Sequence, residues 1–114
     1  MSERYADHIE ALRQAVFGGA GVTQPATRRA VGDRAAALSG ARRAVGAAVP
    51  DAIAGFVDKV ARRAYTVTDA DVRALRQAGY SEDAIFEITA STAVSAALGR
   101  LERGVAALRG EGEV

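Results

Sequence analysis

The feature that most constrains the fold is a stretch near the carboxyl end, residues 81–108, that lacks proline and is apolar or small on two helical faces. One face carries Ile85, Ile88, Thr92, Ser95 and Gly99, and the other carries Phe86, Ala90, Ala93, Ala97 and Leu101. A helix with two such faces is normally buried between neighbours, and small residues allow close backbone approach. We therefore predict a long central helix, capped by Ser81, that also contacts another copy of the chain.

Apolar residues at helical spacing predict four shorter helices before it, over about residues 5–16, 23–38, 50–64 and 68–78. The glycine-rich run 17–21 ends the first of them. Thr23, followed by Pro25, is a predicted N-cap. Thr68 and Asp71 form a predicted capping box.

Residues 41–49 favour either a short helix or a loop, since glycine and serine interrupt the pattern there. The expected fold is all-α: a bundle of about five to six helices in one domain, residues 1–114, with a frayed tail at 110–114. The small apolar core per chain favours a homo-oligomer.

Composition excludes several function classes. The chain has no cysteine, so thiol, disulfide and cysteine-ligated metal chemistry are excluded. His8 is the single histidine and is predicted to be a solvated surface residue, so we expect no zinc site. The net charge of +1, with acids and bases interspersed, predicts neither a nucleic-acid nor a membrane-surface partner. We expect no cofactor, no signal peptide and no membrane span, hence a cytoplasmic protein.

Acidic residues are the main candidates for a reactive site. Four of them are predicted to cap or open helices: Asp69, Asp71, Glu82 and Asp83. Glu87 lies deeper in the last helix and is the carboxylate most worth testing. The glycine loop 18–21 precedes a helix, but it lacks the lysine and the strand of a phosphate-binding loop, so we predict an interhelical connection.

Basic residues suggest less. The arginine pairs at 28–29, 42–43 and 62–63 are predicted to lie on solvated helix faces, because adjacent helical residues point in different directions. Residues 71–88 are also typical of a helix-turn-helix with Gly79 in the turn. The second helix of that pair begins with acids that phosphates would repel, so packing is the favoured interpretation.

Residues 65–72 and 74–88 resemble the helix pair of the AhpD-like, carboxymuconolactone decarboxylase family, and residues 16–22 and 28–30 resemble its amino-terminal part. The resemblance covers about half of the chain well. It implies an all-α fold that assembles as a homotrimer or hexamer. It also implies, for the redox branch, a Cys-x-x-Cys at a helix start, a histidine one turn later and a glutamate on the preceding helix.

With the comparison anchored on Gly79, the family's cysteine positions fall at Ala64 and Val67. The histidine position falls at Asp71, and the glutamate position falls near Ala52, beside Asp51. None of the four matches. Without a thiolate, the family's peroxidase mechanism is excluded.

The favoured hypothesis is a cysteine-less AhpD-like homo-oligomer that acts as an assembly or partner-binding module. The alternative is an acid–base enzyme that uses the family pocket, with Asp71, Glu87, Asp58 and Tyr65 as the suspected residues. That alternative predicts a concave pocket near Asp71 and a carboxyl group of raised pKa. A weaker alternative is DNA binding by the helix-turn-helix.

Overall fold

A computed structural model of the chain describes residues 3–40 and 48–110. The regular structure of these residues is entirely helical, as the sequence predicts. The five α-helices are α1 Glu3–Arg13, α2 Pro25–Leu38, α3 Asp51–Arg63, α4 Asp69–Gln77 and α5 Glu82–Leu108. A π-helical turn, Gln14–Gly18, continues α1, and a 3-10 turn, Ala64–Thr66, follows α3.

Two regions of the sequence interpretation lie wholly or partly outside the described residues. Residues 41–47 contain most of the segment that favoured either helix or loop; residues 48–50, which are described, are not helical. The expected frayed tail is described only at Gly110.

The core lies between α2, α3 and one face of α5. The most extensive contact joins α2 to α5, and α3 packs against both. The predicted inner face of α5 (Ile85, Ile88, Thr92, Ser95 and Gly99) is buried throughout. A Cβ at Gly99 would lie 3.0 Å from the Ala36 carbonyl oxygen. Glycine therefore permits the close approach of the two helix backbones that the sequence predicts.

Capping residues place several helix ends where the sequence predicts them. The capping box of Thr68 and Asp71 is present, and the Ser81 hydroxyl accepts a hydrogen bond from the Ala84 amide. Gly79 has φ 103°, the left-handed conformation expected of a residue that follows a helix end.

Two local predictions were wrong. Gln24, not Thr23, is the N-cap of α2, because the Thr23 side chain bonds to Glu87 on α5 instead. The third predicted helix was expected to include Ala64, but α3 stops at Arg63 and Ala64 is exposed in the 3-10 turn.

Helix α1 stands apart from the rest of the bundle. Among the described elements, its backbone comes close only to the π-helical turn that continues it. The side chains of Tyr5 and Leu12 remain 49% and 42% exposed, although Ile9 is half-buried. An apolar groove of about 400 Å³ separates this helix from the carboxyl-terminal half of α5. None of the described helices is both long and apolar enough to cross a membrane.

Candidate functional site

The four suspected residues of the enzyme hypothesis do not converge on one site. Asp58 forms an ion pair with Arg34, and Asp71 forms one with Lys59. Glu87 binds the loop before α2 and has no partner in common with Asp58 or Asp71. The Tyr65 side chain is 86% exposed. Any acid–base chemistry would therefore have to use one of these groups with its own partner.

Asp71 lies at the edge of a depression of about 290 Å³ between α3 and α4. The depression is lined by Ala52, Gly55, Phe56, Lys59, Asp71, Ala74 and Leu75. Asp71 and Ala52, the positions that the resemblance assigned to histidine and glutamate, thus share one concavity. The charged groups that line the depression are Asp71 and Lys59, and the Lys59 Nζ lies 2.9 Å from the Asp71 Oδ2.

One oxygen of the Asp71 carboxylate caps α4 and joins this helix to α3. Its Oδ2 accepts hydrogen bonds from the Lys59 ammonium and, at 2.8 Å, from the Thr68 amide. These bonds, that of Lys59 foremost, lower the pKa of Asp71 below its ordinary value. A general acid near neutral pH needs the opposite shift.

Ala64 and Val67, at the family's cysteine positions, do not line this depression. Ala64 is exposed, and Val67 packs partly against the hydrophobic core. The lysine that occupies the depression, Lys59, was not among the suspected residues. Lys59 and Asp71 are twelve residues apart and lie on different helices, so no local sequence pattern predicts their contact.

Asp58 links α3 to α2. Arg34 donates to its two oxygens, Nε to Oδ1 at 2.5 Å and Nη2 to Oδ2 at 2.8 Å. The hydrogen bonds from Arg34 are the main reason that the pKa of Asp58 is lowered. Both side chains are more than a third exposed, so we interpret the pair as a surface salt bridge that contributes little to the stability of the fold.

Glu87 holds the glycine-rich loop against α5. Its Oε1 accepts the Thr23 amide at 2.9 Å and the Thr23 hydroxyl at 2.5 Å, and its Oε2 accepts the Val22 amide at 2.8 Å. The hydrogen bond from the Thr23 hydroxyl is the largest cause that lowers the pKa of Glu87. The loop does bind an anion with its amides, as a phosphate loop would, but the anion is the chain's own carboxylate.

Arg28 also binds Glu87, and we call Glu87, Arg28 and the loop residues that they hold the clamp. The sequence analysis did not predict this role for Arg28. It was expected on a solvated helix face, but its side chain is only 3% exposed. Nη1 lies 3.7 Å from Glu87 Oε1, and Nη2 donates to the Gly19 carbonyl at 2.7 Å. A Cβ on Gly21 would fall 2.7 Å from Glu87 Oε2 and closer still to Arg28, so any larger residue there would displace the ends of these two side chains.

The remaining polar candidates lie on the surface. His8 is exposed, as are Arg29, Arg62 and Arg63, whereas the 42–43 pair lies outside the described residues. Across residues 81–88 the exposed charges are Glu82 and Asp83. A phosphate backbone would be repelled by that surface, which disfavours the helix-turn-helix interpretation.

The outer face of α5 is the largest feature without an explanation inside the chain. We call it the outer stripe and define it by Phe86, Ala90, Ala93, Ala97, Leu101, Gly104 and Leu108. Its large members are Phe86, 72% exposed, Leu101, 42% exposed, and Leu108, 89% exposed. Leu101 also lines the groove beneath α1, so the outer stripe and the apolar face of α1 are continuous.

Within residues 3–40 and 48–110, no group of three or more histidine or acidic side chains is placed to hold a metal ion. Comparison with family models, curated proteins and solved structures finds no match to this chain.

Proposed function

We propose that this protein is a non-redox assembly module that works as a homo-oligomer, a cysteine-less relative of the AhpD-like family. The observation that carries the proposal is the outer stripe of α5. The family resemblance implies three or six copies, and the outer stripe supplies the kind of surface that such an assembly needs.

The energetic argument rests on the large side chains of the outer stripe. Burying a leucine or phenylalanine from water stabilises by about 1.5–3 kcal/mol. Phe86, Leu101 and Leu108 are all available for such burial in a complex. Scattered exposed apolar residues are ordinary, but a continuous row on one helix marks an interaction surface.

Helix α1 supports the same proposal. It has eleven residues, and an isolated helix of that length is marginal in water. Tyr5, Ile9 and Leu12 form an apolar face, yet none of them is buried by the described residues. A neighbouring copy that covers the groove between α1 and α5 would supply the missing packing.

The acid–base alternative lacks comparable support. It calls for a carboxyl group whose pKa is raised, whereas the pKa values of Asp58, Asp71 and Glu87 are all lowered by their hydrogen-bond donors. Such shifts favour roles in joining helices over proton transfer.

Sedimentation velocity of the full chain at micromolar concentration tests the proposal. We expect the wild type to sediment as an oligomer and Ala97→Lys, at the centre of the outer stripe, to sediment as a monomer. Ala107→Lys is the matched control, since Ala107 is exposed on the same helix but off the outer stripe. A monomeric wild type, or an Ala97→Lys variant that assembles like the control, would contradict the proposal.

A further inference from the structure

We infer that two copies of the chain pair through their outer stripes as antiparallel α5 helices, related by a two-fold axis at Ala97. The inference rests on the proposed self-assembly and names its partner surface, its direction and its register.

The spacing of the outer stripe is symmetric about Ala97. Phe86 and Leu108 each lie eleven residues from it, Ala90 and Gly104 each lie seven, and Ala93 and Leu101 each lie four. In an antiparallel pair with Ala97 on the two-fold axis, every outer-stripe residue therefore faces another outer-stripe residue. An isologous interface requires this self-complementarity, in which residue i contacts j and j contacts i.

The residue sizes agree with this register. At both ends, Phe86 faces the partner's Leu108, so two large side chains meet. Ala90 faces the partner's Gly104, and Ala97 faces its own copy. Ala97 on the axis, and Ala93 facing the partner's Leu101, allow the helix axes to approach to about 8 Å, the short end of the usual range. The contact is therefore tight at its middle and filled by large side chains at its ends.

The helix geometry keeps the outer stripe straight. Eleven residues span three helical turns, or about 3.67 residues per turn, close to the 3.6 of an unstrained α-helix. Phe86, Ala97 and Leu108 therefore lie almost directly above one another along α5. Two such helices can stay in contact over the whole outer stripe with a slight right-handed supercoil, in place of the left-handed one that a seven-residue repeat imposes.

Charge favours the antiparallel direction over the parallel one. The first turn of α5 carries Glu82 and Asp83, and Arg109 follows its last turn. In the antiparallel pair Arg109 lies level with the partner's Ile85 along the helix axis, within about one turn of the partner's acidic first turn. The helix dipoles also oppose each other favourably. A parallel pair would instead bring acidic turns together.

The size of the contact predicts a contribution from α1. A helix of 27 residues is about 40 Å long and about 10 Å wide, so α5 alone offers on the order of 400 Å² per copy. A standard interface needs about 800 Å² per partner. The adjoining apolar side chains of α1, Tyr5 and Leu12, are exposed and continuous with the outer stripe, and they extend the buried area.

Disulfide trapping tests the register, because the chain has no cysteine of its own. Ala97→Cys places two thiols together at the two-fold axis. Ala93→Cys is the matched control: it is the same exposed residue type in the outer stripe, but its two copies are offset by about 12 Å along the axis. Disulfides need Cα atoms within about 7 Å.

On mild oxidation we expect most of the Ala97→Cys protein to shift from 11.8 kDa to twice that mass on a non-reducing gel, and Ala93→Cys to remain unshifted. Equal cross-linking of the two variants would indicate a parallel or nonspecific pair and overturn the inference. An oligomer in sedimentation that Ala97→Cys fails to trap, or one of exactly three copies, would overturn the register but not the self-assembly. A monomeric wild type would overturn both.

Discussion

The two faces of α5 are built from similar residues but lie in opposite environments. The inner face is buried against α2 and α3, with Ile88 fully inaccessible and Gly99 in close contact with Ala36. The outer stripe is just as poor in charge, yet Phe86 and Leu108 extend into solvent.

This difference shows which apolar face of α5 is buried within the single chain. The inner face meets glycine and alanine on α2, which leave room for it, whereas the described residues cover the outer stripe only in part: Phe86 and Leu108 are mostly exposed, and Leu101, beside α1, is 42% exposed. Apolar periodicity marks both faces for burial without saying which partner buries each. Substitutions that act on one face alone therefore separate folding from assembly.

The largest difference is expected from Ile88→Ala compared with Leu101→Ala. Ile88 is fully buried on the inner face, so its truncation leaves a cavity and costs about 2–5 kcal/mol of unfolding free energy. Leu101 on the outer stripe is 42% exposed and partly packed beside α1, so its truncation should cost the monomer less, on the order of 1 kcal/mol. Urea unfolding at protein concentrations low enough to give monomers measures both.

In sedimentation velocity we expect the larger effect from Leu101→Ala, because this variant weakens association between copies, whereas Ile88→Ala leaves the outer stripe unchanged. Equal stability losses at low concentration would show that the outer stripe is buried within the chain itself, and would remove the contrast between the faces.

A smaller difference is expected from Gly99→Ala compared with Gly104→Ala. A Cβ at Gly99 would lie 3.0 Å from the Ala36 carbonyl oxygen and 3.3 Å from the Ser39 Cβ, so α2 and α5 must separate, at a cost of about 1–3 kcal/mol. A Cβ at Gly104 meets nothing within 4 Å in the chain, and alanine should stabilise the helix by up to about 1 kcal/mol. Thermal melts of the two variants should shift in opposite directions.

Sequence reasoning succeeded where the determining contacts are local. Thr68 and Asp71 are three residues apart, and the Ser81 cap bonds the amide of Ala84, so both helix starts could be predicted. The buried inner face followed from spacing within a single helix.

Sequence reasoning failed where a contact joins segments that are distant in the chain. Thr23 has the residue type and position of an N-cap, yet it bonds to Glu87, which is 64 residues away. Arg28 was expected on a solvated helix face, because adjacent helical residues point in different directions, but the fold brings Glu87 to it. Glu87 itself was singled out as the carboxylate in a helix of otherwise buried residues, but its partners could not be predicted.

The smallest effect is expected at the clamp, which lies between the two faces of α5. Glu87→Gln keeps one of the two acceptor oxygens, replaces the other with an NH2 group and removes the charge that faces Arg28, so we expect a loss of about 1 kcal/mol at neutral pH. Asp7→Asn, an exposed carboxylate on α1, is the control and should stay within about 0.5 kcal/mol of wild type.

The loss should depend on pH in a defined direction. The pKa of Glu87 is lowered in the folded state from an ordinary value of 4.5, because donors such as the Thr23 hydroxyl stabilise the carboxylate. The folded state therefore binds fewer protons than the unfolded chain, and the stability contributed by the charge is complete above pH 4.5 and is lost as pH falls through the folded-state pKa. Urea titrations from pH 7 downward should show the wild type approaching Glu87→Gln below that value. A difference that stays constant over this range would mean that Glu87 holds the loop by shape and hydrogen bonding alone, and that its charge contributes nothing to the clamp.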